Sequence, residues 1–264
     1  MSLTAVVLAG SRGPDDPLAV YAGVRHKALI DIAGTPMLER VVSALAAVEA
    51  IGRIVVVIEI PQALRESTSL LAAAGACELQ VVDAAGSPSA SVMLALQQFD
   101  TPLLVTTADH ALLEPEWVRY FLDAAQRAQA DVCAALAGSD AVLAALPTTR
   151  RTWLRFREGR YSGCNLFYFA TPAAAGVARV WRAFEAERKQ PLKMVSRLGW
   201  GTALRYLLGW LGRQQALSRL GRMAGARLAI VDMPFGLAAV DVDKPSDLDL
   251  VRGLLAARRP LTPA

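Results

Sequence analysis

Short apolar runs rich in β-branched residues recur along this chain, and stretches with helical spacing alternate with them. Leu3–Leu8, Arg53–Ile58, Leu103–Thr107, Asp131–Leu136 and Asn165–Phe169 read as buried strands. Between them Pro36–Val48, Pro61–Ala74, Ser89–Gln98, Pro115–Gln129 and Pro172–Arg188 read as helices. Thr35-Pro36 places a capping hydroxyl before a proline at a first helical position. This alternation predicts an α/β fold, a three-layer α/β/α sandwich built on a mostly parallel twisted sheet. A strand-like pair, Arg227–Val231 and Gly236–Val242, leads into a closing helix over Pro245–Ala257, and Arg258–Ala264 reads as a frayed tail. No Pro/Gly/Ser-rich linker or repeat divides the chain, so 1–264 reads as one domain with a helical insertion at about 191–226. In sheets of this kind ligands bind beyond the carboxyl ends of the strands, so the residues just after each strand carry the functional signal.

Composition narrows the class. At 54% hydrophobic and 20% charged, 264 residues can bury a large core. No apolar run approaches the roughly 18 residues of a membrane span, and Met1–Leu8 lacks the basic flank of a signal peptide. Cys77, Cys133 and Cys164 lie far apart, with no CxxC pair and only two histidines. That argues against a disulfide framework or a structural zinc site and for a reducing, cytoplasmic setting. The net charge of +4 hides an asymmetry: nine basic residues and no acid fall between Arg188 and Val231, leaving 19 basic against 24 acidic residues elsewhere. The basic character is therefore local, which points away from nucleic acid as a partner of the whole surface. The insertion interleaves Trp200, Tyr206 and Trp210 with arginines and a Leu204/Leu207/Leu208/Leu211 stripe. Such a segment suits a lid, a homodimer contact, or a peripheral element at the inner face of a membrane with Arg205 and Arg213 on anionic headgroups.

Four segments can carry chemistry. After the first strand, Leu8-Ala9-Gly10-Ser11-Arg12-Gly13 is a small-residue turn whose backbone N–H groups could approach a phosphate with Arg12 beside them. It is neither a Walker loop nor a GxGxxG turn, and a plain strand-to-loop turn would look similar. Asp109 follows a buried strand directly, where a carboxylate can hold a hard divalent cation or cap a loop. Asp241-Val242-Asp243 forms a second acidic pair; either residue could join Asp109 around a metal, and Asp243 could instead cap the helix at Pro245. Gly86–Ser91 offers the hydroxyls of Ser87, Ser89 and Ser91 for a base or phosphate, although Ser89 could serve only as a helix cap. Lys27 by itself reads as a solvated charge. His110 is at most an outer neighbour of Asp109. No serine or cysteine has the surroundings of an activated nucleophile.

Taken in order, these segments resemble the nucleotidyltransferases of the GT-A-like Rossmann type, the group of the molybdenum-cofactor guanylyltransferase-like proteins and the sugar-1-phosphate nucleotidyltransferases. Leu8-Ala9-Gly10, Lys27-Ala28-Leu29-Ile30, Gly34-Thr35-Pro36-Met37-Leu38, Thr107-Ala108-Asp109, Gly163-Cys164-Asn165 and the Asp241 cluster carry the likeness. Ser11 stands where the family's second glycine is usual. The resemblance implies transfer of a nucleoside monophosphate from a nucleoside triphosphate to a phosphorylated sugar, polyol or lipid-headgroup precursor, with release of pyrophosphate. It implies that Leu8, Ala9, Gly10, Ser11 and Arg12 line the triphosphate, with Lys27 bridging phosphates and Ser87, Ser89 and Ser91 near the base. Asp109 and Asp241, or alternatively Asp243, would hold Mg2+, and Asn165 would contact the acceptor. Arg12, Lys27 and Asp109 would be the catalytic set. Two other readings stand beside it: a nucleotide-sugar-dependent glycosyltransferase of the same fold, or a non-catalytic nucleotide-binding protein. The first usually shows an Asp-x-Asp pair, where this chain has Asp109-His110-Ala111.

Overall fold

A parallel strand buried on both faces needs an unbroken apolar run, and the β-branched stretches of this chain supply it. The computed structural model describes residues 2–11, 13, 15–149, 151–187 and 199–258. It has the α/β class, with a mostly parallel sheet and flanking helices. In chain order the strands are β1 (Leu3–Leu8), β2 (Asp31–Ile32), β3 (Thr35–Pro36), β4 (Ile51–Ile58) and β5 (Glu78–Asp83). They continue as β6 (Leu103–Thr107), β7 (Val132–Gly138), β8 (Leu154–Phe156), β9 (Gly159–Phe169) and β10 (Leu228–Met233). The described residues gather into two compact units: one from those within 2–84, 106–118 and 240–258, the other from those within 85–105 and 119–239.

In the first unit β4 pairs in parallel with both β1 and β5, matching Val6 with Val55 and Val56 with Val81. Ala5, Val6, Val7 and Ile54–Ile58 are buried, as the continuous runs require. The helix Met37–Ala46 buries Met37, Leu38, Val41, Val42 and Leu45, one apolar face at helical spacing. Two arginines tie down the segments around the strand ends. Arg40 donates to the carbonyls of Ala111 and Ile32, and Arg252 donates to that of Asp31.

In the second unit β7 pairs in parallel with β10 and antiparallel with β9, which also runs antiparallel to β6 and β8. The reversed β9 is the departure from an all-parallel sheet. The ladder between β7 and β9 slips between Ala134 and Leu136, and Asn165 lies opposite that slip at φ 48°. Asparagine tolerates the left-handed conformation, and a bulge re-aims the side chain it carries.

Several local expectations change. Pro61–Ala74 is two helices, Pro61–Arg65 and Thr68–Ala74, because the Ser67 hydroxyl accepts from Leu70 N and starts a new cap. Thr35-Pro36 does not cap; it is strand β3, paired with β2, and the helix begins at Met37 without a side-chain cap. Gly236–Val242 is not a strand but a 3-10 turn over Gly236–Ala239 followed by irregular chain. A Cβ at Gly236 would sit 2.1 Å from the Ala141 carbonyl, an approach that only glycine allows here. The insertion holds two helices, Trp200–Leu207 and Arg213–Ala224, while its part at 191–198 and the tail at 259–264 lie outside the described residues. The three cysteines are free thiols, and burial pushes that of Cys133 up to about 11.

Two positions test this packing. A Cβ on Gly176 would meet the Ala224 carbonyl oxygen at 1.9 Å, so Gly176→Ala must push apart two helices of the second unit. We expect a loss of about 1–3 kcal/mol in urea unfolding, the usual cost of overpacking. Asp131 accepts from Arg227 N at 2.7 Å and from the Thr171 hydroxyl at 2.8 Å, bonds that hold its carboxyl below the usual range, the backbone bond foremost. Because the folded value is lowered, the stabilisation is present above the ordinary value of about 3.9 and lost as pH falls through the depressed one. Wild type should therefore exceed Asp131→Asn in urea midpoint at neutral pH, and the gap should close in acid.

Candidate active site

The first unit brings a lysine and two carboxylates onto one point. Lys27 opens a 3-10 turn, Lys27–Leu29, rooted by buried Ala28 and Ile30. The turn is capped by the preceding residue: His26 Nδ1 accepts from Ala28 N at 3.2 Å. Lys27 Nζ then donates to Asp109 Oδ2 at 2.9 Å and to Asp243 Oδ1 at 3.0 Å. The side chains of Lys27 and Asp109 are 13% and 20% exposed and that of Asp243 is 54% exposed, so the Asp109 contact is the better shielded. Burial alone would lower the Lys27 pKa; the two carboxylates outweigh it and hold the ammonium above the ordinary lysine value. Lys27 is thus a fixed positive charge.

Each carboxylate is placed by backbone. Asp109 follows β6, where Ala108 N donates to the Leu8 carbonyl at the end of β1. The Thr107 hydroxyl donates to Asp109 Oδ1 at 2.5 Å, and Val242 N donates to the Asp109 carbonyl at 3.0 Å. That last bond brings the Asp241-Val242-Asp243 segment beside Asp109, with Val242 buried and Asp243 exposed. Asp243 does not cap the closing helix; the Asp247 carboxylate does the local bonding there, accepting from Asp243 N and Lys244 N at 3.2 Å each.

A second cluster adjoins the first through the bond between residues 26 and 27. The Ser11 N–H, in the turn after β1, donates to both oxygens of Glu59, at 3.0 and 3.2 Å. His26 lies 3.0 Å from Glu59 Oε2 through Nε2, and since its Nδ1 is an acceptor, Nε2 carries the proton and donates. The expected phosphate turn is therefore capped by a carboxylate. Arg12 lies outside the described residues. Glu59, His26 and Thr107 were not singled out from the sequence, although Glu59 follows β4 as Asp109 follows β6 and carries the same strand-end signal.

The remaining candidates belong to the second unit. The Ser87 hydroxyl caps the helix Pro88–Gln98 by accepting from Ala90 N, so Ser87 and not Ser89 is the cap. Ser91 accepts from Ala85 N, and Ser89 is fully buried and donates to Glu185. Asn165 sits at the β9 bulge. In the first unit, His110 is buried against Trp117, with ring centroids 6.2 Å apart.

Comparison with known proteins places the chain in a family. No curated protein matches the sequence. A hypothetical transferase from Thermus thermophilus is 30% identical over 94% of this chain and 100% of that one, with a TM-score of 0.78. A 4-diphosphocytidyl-2C-methyl-D-erythritol synthase from Anaerococcus prevotii is 11% identical, covers 97% and 98% of the two chains and scores 0.61. A CMP:2-keto-3-deoxy-manno-octonic acid synthetase in complex with CTP is 15% identical over 98% and 99%, with a score of 0.57. The last two likenesses are of fold. By a sequence match over residues 5–228, the chain belongs to the family of MobA-like NTP transferase domains.

Proposed function

We propose that this NTP transferase domain catalyses attack by the phosphate oxygen of a small phosphorylated acceptor on the α-phosphorus of a nucleoside triphosphate. A new P–O bond forms, the bond from the α-phosphorus to the bridging oxygen breaks, and pyrophosphate leaves with the electron pair. An acceptor phosphate is already anionic near neutral pH, so the reaction needs positioning and charge neutralisation more than a strong base. The observation that carries this reading is the convergence of Asp109 and Asp243 on Lys27 at 2.9 and 3.0 Å. A shielded ammonium is suited to neutralise charge that grows on phosphate oxygens in the transition state. The backbone N–H of Ser11, with Gly10 beside it, suits the triphosphate, and Arg12 follows in the same turn. Ser87 and Ser91 keep the base, and Asn165 the acceptor, as roles taken from the family resemblance, whereas buried Ser89 is committed to Glu185.

The donor set also fits magnesium. Carboxylate oxygens already share one cation, the lysine ammonium, and magnesium takes one or two carboxylates and completes its shell with water and phosphate oxygens. Among the described residues no three His, Cys, Asp or Glu side chains gather, so the protein would supply few of the ligands. Asp109 would hold the ion with one of the two carboxylates flanking Val242. When bound it would offset the charge on the phosphates.

Three results test the proposal. Pyrophosphate should appear when the protein meets one of the four nucleoside triphosphates and a phosphorylated sugar or polyol; turnover of a nucleotide-sugar in its place would identify a glycosyltransferase. Lys27→Ala and Asp109→Asn should each lower kcat by ~10²-fold or more, the scale for losing one main charge-stabilising group. Full activity in both at saturating substrate would remove the site from the chemistry. Comparing Asp241→Asn with Asp243→Asn assigns the second carboxylate: the metal-holding variant should lose activity that higher magnesium partly restores, and the other should not.

A further inference from the structure

The helix Trp200–Leu207 leaves an apolar face uncovered. Trp200 and Trp210 are each 66% exposed and Leu207 is 80% exposed, with Leu204 and Leu208 also in solvent. Residues 200, 204, 207 and 208 share one face at helical spacing. The other side of the segment is anchored: Tyr206 meets Phe156 edge-on at 6.3 Å, Leu211 is buried, and its carbonyl accepts from Arg157 N at 3.0 Å. The exposed face is thus presented by a docked helix. Isolated exposed leucines need no explanation, but Trp200 and three leucines exposed on one helical face do.

Charge indicates what covers it. Next to this face a groove of about 330 Å³ is lined by Arg205, Arg219 and Arg222 together with Thr202, Gln214 and Gln215, and none of its lining residues is acidic. Gly199–Val231 contains five arginines and no acid. Two of them are neutralised from neighbouring elements: Arg213 pairs with Asp232 and its N–H with Glu158, and Arg227 pairs with Asp131. Of the groove arginines, Arg205 lies on the Trp200–Leu207 helix itself and Arg222 faces the same groove. A second copy meeting this patch across a two-fold axis would set arginines against arginines. An anionic bilayer supplies both complements, phosphates for the groove and an apolar interior for the leucines, with tryptophan at the headgroup level where it is enriched. Among the described residues no helix is long and apolar enough to cross a membrane, so the contact is peripheral. We infer that the Trp200–Ala224 helical pair docks the protein reversibly on anionic phospholipid bilayers through its Trp/Leu face and arginine groove.

Co-sedimentation of the full chain with vesicles tests this. Binding is expected to vesicles of phosphatidylcholine with phosphatidylglycerol and not to phosphatidylcholine alone. It should be strong at about 0.1 M salt and lost near 1 M, where the Debye length falls from about 10 to about 3 Å. Arg205→Gln with Arg222→Gln should weaken it by about tenfold or more, since each basic residue at such a surface adds appreciable attraction. Leu207→Glu should do the same with an unchanged circular dichroism spectrum, because Leu207 is mostly in solvent already. Absence of binding to anionic vesicles overturns the inference, as does binding that Leu207→Glu leaves intact. Concentration-dependent dimerisation abolished by Leu207→Glu would overturn it too and assign the face to a second copy.

Discussion

The first unit turns on one ammonium held between two carboxylates. Burying a charge is costly unless it is paired, and Lys27 is mostly buried, so Asp109 and Asp243 are needed if it is to stay charged there. The requirement extends outward. Asp109 needs the Thr107 hydroxyl and the end of β6 to aim it; Asp243 needs Val242 bonded to the Asp109 carbonyl; Lys27 needs the turn that His26 caps. Three segments distant in sequence therefore meet at one charge. The arrangement contributes less to stability than its number of bonds suggests, since desolvation offsets much of the Coulomb attraction. What it does provide is a cation fixed in direction before any phosphate arrives, and preorganised charge of this kind avoids reorganisation during reaction.

The adjoining Glu59 cluster has the opposite sign and a different consequence. Glu59 accepts from the Ser11 N–H that a phosphate oxygen would otherwise use, and His26 steadies it from a buried position. Two anions cannot share one N–H, so a triphosphate in the turn after β1 requires the Glu59 side chain to rotate away. The Glu59 side chain is partly exposed, so solvent borders it on one side. His26 carries its proton on Nε2 in this state, and moving Glu59 would leave that donor facing the turn.

The layout of the site was legible from sequence where burial dictates it. Continuous apolar runs mark β1, β4 and β6, and the rule that ligands bind beyond parallel strand ends selects Ser11 and Asp109 without coordinates. Lys27 was different. A lysine after a histidine looks like a solvated charge, and only the family resemblance raised it; its partners lie 82 and 216 residues away, a separation that no local pattern encodes. Strand β5 lacks a continuous apolar run because polar Glu78 and Gln80 stand among its first three residues, as an edge strand allows. Gly236–Val242 reads as a strand because Ala238, Ala239, Val240 and Val242 form an apolar run, yet that run is buried as a turn that passes close to the Ala141 carbonyl. Apolar periodicity reports burial; it does not report which backbone conformation achieves it.

The basic segment shows how a charge count must be resolved into individual environments. Counting arginines over residues 199–231 treats Arg213 and Arg227 as equal to Arg205 and Arg222. In the fold, Arg213 stacks over Tyr161 with its guanidinium carbon 4.5 Å from the ring centroid and pairs with Asp232, which is a packing role. Arg227 closes the end of β10 through Asp131. Asp131, just before β7, Glu158, in the turn between β8 and β9, and Asp232, in β10, all lie outside the acid-free window, so the sequence interval overstates the uncompensated charge. Arg205 and Arg222 line the groove beside Trp200 and Leu207, where one ligand can meet positive and apolar surface together.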